Sequence, residues 1–366
     1  MKRVTLADIA HEAGVHKTTV ARALRNSPRI GAAVRQHIRH LAETMGYRPD
    51  PHLSRLMAQI KTTDPAHQTD TIALWNPLPH SLRDDWVMYE LRRMCLGAAE
   101  EAARHGYQLE EFYFGDAALT PRRLGKILQA RGIRAVLIFP AYDVWSLDLD
   151  FARLASVTLS HSLKSPAIHK VLHDAHYAMR TLLHHVEGLG FKRIGIVLPP
   201  KVPSHEILYE TYTGVVLAHR HWEKMQPDIP ILYFDPAEQT PPTVFAKWFH
   251  QYQPDVVVSS NERVLDVMRR ELGLDVPGQV SYASTALGDP RDGISGIRPP
   301  AKAIGGVAVR KLISMLHSNE TGLPRFPETI EVPGTLETGT TLRVPSWKLA
   351  TADFRPARTI AGKIAK

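Results

Sequence analysis

Residues 4–28 read VTLADIAHEAGVHKTTVARALRNSP, two short helical patterns broken by a Gly-Val step. Neither pattern is long enough to persist alone in water, where isolated helices shorter than about 12–15 residues are marginal. The pair must therefore bury its apolar stripes against something. Leu6, Ile9, Ala10 and Ala13 fall on one face of the first pattern, and Thr5 is placed to cap it. Gly14 suits the open, left-handed turn that side chains resist, with Val15 packing beneath it. Val20, Ala23 and Leu24 face inward from the second pattern, and small Ala10 and Ala21 let the two helices cross closely. A third pattern, from about residue 32 to 45, offers Val34, Ile38, Leu41 and Met45. Three helices of this kind make a helix-turn-helix unit with the second helix held outward.

What faces outward on that second helix sets its use. His16, Lys17, Thr18, Thr19 and Arg22 can all donate hydrogen bonds, and they gather at its N-terminal end. That is the end of a recognition helix that enters the DNA major groove. Lys17 and Arg22 can donate to guanine O6 and N7, and Thr18 can bond a base edge or touch a thymine methyl. Thr5, His16, Thr19, Arg29 and Arg35 stand where helix starts and basic side chains would hold phosphates. The charge agrees. Residues 1–60 hold ten lysines and arginines against four acids, a net of +6; residues 347–366 hold five against one, a net of +4. The remaining 286 residues are close to neutral. A basic end on a neutral body points to a polyanion partner at that end. A three-helix protein-interaction module with a solvated basic face is the plainer alternative, and the coincidence of charge with motif weighs against it.

The pattern divides the chain into a head over 1–48, a hinge helix and linker over 49–70, a core over 71–345 and a basic tail over 346–366. In the linker Asp50 can cap a brief helix and Pro51 suits its first position. From residue 71, apolar strands such as TIALWNP, IRAVLIFP and PDVVVSS alternate with helical stretches such as MYELRRMCLGAAEEAARHG. That beat implies parallel sheets covered on both faces, and its length implies two of them. No run of about 18 apolar residues exists to span a membrane, and no apolar region follows Lys2 and Arg3, so a cytoplasmic protein is the simplest expectation. The lone Cys95 excludes an internal disulfide. No nucleophile elbow, phosphate loop or dinucleotide fingerprint is present, so no enzyme and no cofactor is expected. Among 19 histidines, His173 and His176 are three apart and His184 and His185 are adjacent. With no cysteine or carboxylate completing a ligand set, they read as surface histidines rather than metal ligands.

The run VTLADIAHEAGVHKTTVARAL…NSPRI…R…GYRPD resembles, without a gap from Val4 to about Leu56, the DNA-binding head of the LacI family of bacterial transcription regulators. The resemblance implies that Lys17, Thr18 and Arg22 read bases. It also implies that the hinge helix lies in the minor groove, with Leu53 and Leu56 at the DNA and Leu56 as the intercalating wedge. Against the family pattern, His16 and Ala21 replace serines, Asp50 an asparagine and Leu53 an alanine. The core segments HDAHYAMRTLLHHVEGLGFKRIGIV, PDVVVSSNERVLDVMRRELGLDVPGQVSYAS and GIRPPAKAIGGVAVRKLISML resemble the two-lobed periplasmic-binding-protein-like core of the same family. The fold expected is thus an all-α helix-turn-helix head plus an α/β core with parallel sheets. Lobe one would take about 71–162 and 301–325, and lobe two about 163–298 and 328–343.

A small molecule would bind between the lobes. By position at strand ends, Trp75, Asn76, Tyr142, Asp143, His161, Tyr209 and Asn261 are candidates to line that cleft. Sugar-binding relatives carry an arginine where Thr211 stands, and paired carboxylates where Ala286 and Leu287 stand. A typical sugar pose is therefore not expected. The reading is a homodimeric, sequence-specific regulator of a pseudo-palindromic DNA operator, with repression as the family default and a cleft effector modulating affinity. A regulator without an effector, or a solute-binding module on the same core, is the alternative.

Overall fold

The computed structural model describes residues 4–24, 30–47, 71–76, 86–113, 120–141, 144–200, 206–223, 229–234, 240–288 and 293–343. Arg29, the hinge with Leu53 and Leu56, Tyr142, Asp143 and the tail over 346–366 lie outside them. The chain forms two compact units, Met1–Ala66 and His67–Lys366.

The first unit holds helices α1 (Leu6–Glu12), α2 (Lys17–Leu24) and α3 (Ala32–Thr44). Ile9, Ala10, Val20, Ala23, Ile38 and Ala42 form its buried centre, with Leu6, Val15, Leu24, Leu41 and Met45 packed around it. Gly14 takes φ +61°, and Val15 N–H donates to the Ala10 carbonyl at 3.0 Å, closing the turn. Val34 was expected inward but is 42 % exposed. It sits in the first turn of α3, a helix of 13 residues packed against partners of 7 and 8. The buried residues of α3 are Ile38 and Ala42, in its later turns.

The second unit contains two six-stranded sheets. Lobe one has the strand order β13-β7-β5-β3-β1-β2, every pairing parallel. Its members are β1 (Thr71–Asn76), β2 (Gln108–Tyr113), β3 (Ala135–Ile138), β5 (Ala155–Thr158), β7 (His169–His173) and β13 (Thr329–Val332). A two-residue β4 (Trp145–Ser146) pairs with β6 (Leu163–Ser165) beside it. Helices α4 (Trp86–Arg104) and α10 (Ala301–Ser318) cover one face, and α5 (Pro121–Ala130) packs on the other. Lobe two has the order β14-β12-β11-β10-β8-β9, parallel except for β14 against β12. These strands are β8 (Ile194–Leu198), β9 (Leu232–Tyr233), β10 (Val256–Ser259), β11 (Ser281–Ser284), β12 (Gly296–Arg298) and β14 (Thr335–Glu337). Its helices are α6 (Ala175–Gly188), α7 (Glu206–Glu223), α8 (Pro242–Tyr252) and the short α9 (Arg263–Asp266).

The chain passes between the lobes three times, after β7, after β12 and after β13. The first crossing falls after His173, later than the boundary at 162 implied by the resemblance, and β13 joins lobe one rather than lobe two. The reason is pairing: β7 bonds β5 on one side and β13 on the other. An alternating pattern announces a strand without saying which sheet receives it. Lobe two also brings His219 of α7 against His184 and Glu187 of α6, which corrects the expectation that no carboxylate joins the histidines.

α4 and α10 cross backbone to backbone. A Cβ on Gly97 would stand 1.8 Å from the Lys302 carbonyl oxygen, and one on Gly305 would stand 1.9 Å from that of Met94. Cys95, on the same helix, is half-buried, and its thiol is pushed up to about 11 by burial and the nearby Glu111. It is a packing residue rather than a reactive one.

Candidate DNA interface and effector cleft

Thr5 and Asp8 cap each other at the start of α1. The Thr5 amide donates to Asp8 Oδ2 at 2.7 Å, and the Asp8 amide donates to Thr5 Oγ1 at 3.4 Å. That reciprocal pair satisfies two otherwise unpaired amides of the helix start. At α2 the same task falls to His16. The Thr18 amide donates to His16 Nδ1 at 3.4 Å, Thr18 Oγ1 lies 2.9 Å from that nitrogen, and the Thr19 amide donates to the His16 carbonyl at 2.8 Å. The imidazole thus stands in for the serine hydroxyl of the family pattern, so the substitution preserves the cap. His16→Ala should cost about 1 kcal/mol of head stability, and His16→Ser should restore it. Thermal unfolding of the head followed by circular dichroism would decide this; equal midpoints for both variants would contradict it.

Lys17, Thr18 and Arg22 are exposed on α2, while Val20 and Ala23 on its other side are buried. Thr18 and Arg22 are one turn apart, so they share a face with Lys17 beside them. Thr19 and Arg35 are half-buried at the margin. Ala21 is half-buried too, consistent with its reading as a small crossing residue.

In the core, the C-terminal ends of both parallel sheets meet at the crossings. Lys164 of β6 reaches Glu206, the first residue of α7, at 4.0 Å, an ion pair spanning the lobes. The candidates read from strand ends separate here. Trp75 is a core residue, 2 % exposed, with its ring tilted 55° against that of Trp145 at 6.0 Å between centroids. Alternation along a strand buried on both faces sends it to the α5 side with Ala73. Asn76 is buried and donates to Glu111 Oε1 at 2.8 Å. Tyr209 packs against the lobe-two core. The Asn261 side-chain oxygen accepts from the Arg263 amide at 3.0 Å, a local turn bond. His161 remains half-exposed beyond β5, and burial, then Lys170 and Lys164, push its pKa down to about 4. A neutral imidazole there can both donate and accept.

Two residues absent from the strand-end reading stand out. Glu90, in the second turn of α4, is half-buried, and burial raises its pKa to about 7 against the pull of Arg93 and Arg298. Its Oε2 is buried without a hydrogen bond among the described residues. Arg298 comes from lobe two, at the end of β12, where it donates to Glu337 Oε1 at 2.6 Å and to the Gly288 carbonyl at 2.7 Å. A carboxyl group on the apolar stripe beside Leu91 and Met94 was the available signal for Glu90. Glu262 adds a second feature: its Oε1 accepts from the Gly288 amide at 2.9 Å. It brings a carboxylate to the loop where Ala286 and Leu287 lack one. Thr211, at the position of the family arginine, donates to its own helix at the Ile207 carbonyl, 2.7 Å away.

A helix-turn-helix head with an exposed donor face, carried by a two-lobed α/β core, defines a DNA-binding transcription regulator. Residues 5–50 match the model of the bacterial regulatory proteins, lacI family. Over 333 residues the chain is 26 % identical to the HTH-type transcriptional regulator reg1 of Streptomyces lividans, covering 84 % of this chain and 89 % of that one. It is equally identical over 334 residues to the HTH-type transcriptional regulator MalR of Streptomyces coelicolor, with the same coverage. The fold is similar to that of the Lac repressor dimer bound to operator and the anti-inducer ONPF, with TM-score 0.53 and 17 % identity over 93 % of this chain and all of that one. It is also similar to the transcriptional regulator CelR in its cellobiose complex, with TM-score 0.51 and 19 % identity at the same coverage. The family model thus matches the helix-turn-helix head, and the chain along most of its length is similar to transcriptional regulators. No helix among the described residues is long and apolar enough to cross a membrane.

Proposed function

We propose that this regulator acts as a homodimer on a pseudo-palindromic operator, represses by default, and changes its operator affinity when a small polar molecule enters the cleft between its lobes. The observation that carries the DNA half is the exposed set Lys17, Thr18 and Arg22 on a capped α2 whose opposite face is buried. Lys17, Thr18 and Arg22 read base edges; Thr5, His16, Thr19, Arg29 and Arg35 position the helix starts and phosphates. Leu53 and Leu56 enter the minor groove. Two heads on a twofold axis address half-sites about one helical turn apart.

The effector half is supported by polar groups from both lobes: Glu90 faces Arg298, and Arg298 and Glu262 both bond the Gly288 backbone. Glu90 and His161 come from lobe one, and Arg298 and Glu262 come from lobe two. A molecule bonding both sets favours one closure of the lobes over another, which is the differential affinity that regulation requires. The cellobiose in the CelR structure supports a hydroxyl-rich ligand. The residues at Thr211, Ala286 and Leu287 speak for a pose unlike that of the sugar-binding relatives.

The test is selection of random duplex DNA by the full chain, followed by affinity measurement at fixed salt. Arg22→Ala should lose about 1–3 kcal/mol of discrimination at a single base pair. If the variant binds all sequences equally more weakly, Arg22 holds a phosphate and the base-reading assignment is wrong. Removing residues 1–60 should abolish operator binding.

A further inference from the structure

α6 and α7 pack side by side over one face of the lobe-two sheet, through Ala178, Leu182, Tyr212, Val215 and their neighbours. At the solvent edge of that contact three ligand-type side chains converge. His184 and Glu187 stand one turn apart on α6, and His219 comes from α7. Glu187 Oε1 is 3.0 Å from His219 Nε2, and Glu187 Oε2 is 3.8 Å from His184 Nδ1. One donor atom from each residue lies within 4.8 Å of the others. The two imidazoles meet edge to face, centroids 5.0 Å apart at 78°.

The His219 side chain is 5 % exposed, yet its Nε2 makes no hydrogen bond despite the carboxylate oxygen 3.0 Å away. The nitrogen and the oxygen are neighbours without being aimed at each other. A buried ring nitrogen left so is costly. A cation set between the three atoms would satisfy it. Four ligands about 2.0–2.1 Å from a tetrahedral zinc ion are separated from one another by roughly 3.3 Å. Glu187 approaches His219 through Oε1 at 3.0 Å and His184 through Oε2 at 3.8 Å, distances close to that value. A plain ion pair of His219 with Glu187 would need neither His184 nor this geometry.

We propose that His184, Glu187 and His219 bind a divalent ion of the zinc class on the outer side of lobe two. Two imidazoles and a carboxylate suit zinc, cobalt or nickel, whereas magnesium and calcium favour all-oxygen sets. Three protein ligands leave a fourth position for water or an outside ligand, and exposed His184 gives the ion its path in from solvent. The ion ties α7 to α6. Since α7 begins at Glu206, the partner of Lys164 across the cleft, the bound metal stiffens the helix that meets the other lobe.

The experiment uses the full, tag-free chain freed of metal by chelation. Zn2+ is titrated against a chromophoric chelator, and Co2+ is added separately to read the visible absorption of its coordination sphere. The expected result is one equivalent per chain that His184→Ala and Glu187→Gln each weaken by at least about 10-fold. The intense bands of four-coordinate Co2+ and a zinc-dependent rise in unfolding midpoint should be seen with the parent chain and lost in both variants. Both substitutions are at solvent-reached positions, so folding is retained and is checked by circular dichroism. Unchanged zinc stoichiometry and affinity in the two variants, or no saturable binding by the parent chain, would overturn the proposal.

Discussion

Gly305→Ala is expected to destabilise the α/β core by about 3 kcal/mol, at the upper end of overpacking costs, and to lower its unfolding midpoint by roughly 6–12 °C. The added Cβ would stand 1.9 Å from the Met94 carbonyl oxygen and 2.9 Å from the Ala98 amide nitrogen. These are backbone atoms of α4, so no side chain can rotate away; the two helices must separate. Separation would open the cluster in which Leu91, Ala98, Ile304, Ala308 and Leu312 pack on the lobe-one sheet. The neighbouring glycine supplies the control. A Cβ on Gly306 would meet nothing nearer than 3.6 Å. Gly306→Ala should therefore be neutral or gain up to about 1 kcal/mol of helix propensity. Urea unfolding of both variants, monitored on the core transition, tests the contrast. If they shift the midpoint alike, the close crossing of α4 and α10 is not what holds lobe one.

Glu90→Gln should stabilise the core at pH 8 by on the order of 2 kcal/mol and do little near pH 4. Burial raises the Glu90 pKa from 4.5 to about 7 in the folded chain. Between those values the folded state keeps a proton that the unfolded state has released. Stability from this group is then fully present below about 4.5 and is lost as pH rises through about 7. Glutamine has the shape of the protonated form and no such loss. The midpoint of the variant should therefore exceed that of the parent chain at pH 8, with the gap closing on acidification. A gap that is constant with pH would mean that Glu90 is not held protonated by the core.

The head was almost wholly legible, because its signals are local. The 3.6-residue stripe, Thr5 with Asp8, and Gly14 each act within a few positions, and the helices formed where those signals lie. Val34 differed because a 3.6-residue stripe marks a face without saying how far along the helix that face is covered; the burial falls on Ile38 and Ala42. In the core, strand and helix identity was legible, while sheet membership was not, since β7 is held by β5 and by β13 from near the other end of the chain. The cleft was least legible. Aromatic residues at strand ends looked available, yet the alternation of a doubly covered strand buries Trp75. Glu90 and Arg298 acquire their relation only through two of the crossings, and neither belongs to a motif. The histidines illustrate the same limit: spacing along α6 brings His184 to Glu187, but only tertiary packing supplies His219.

The triple passage between lobes bears on the order in which the protein can be made. The head is finished within the first 66 residues, and its apolar centre draws on those residues alone. Neither lobe is then complete until the last strands emerge: lobe one waits for α10 and β13, and lobe two waits for β14. A ribosome stalled anywhere between these points would carry a finished DNA reader on an unclosed body. Emergence of β14, which closes the second sheet, is the event that adds a complete two-lobed core to that reader.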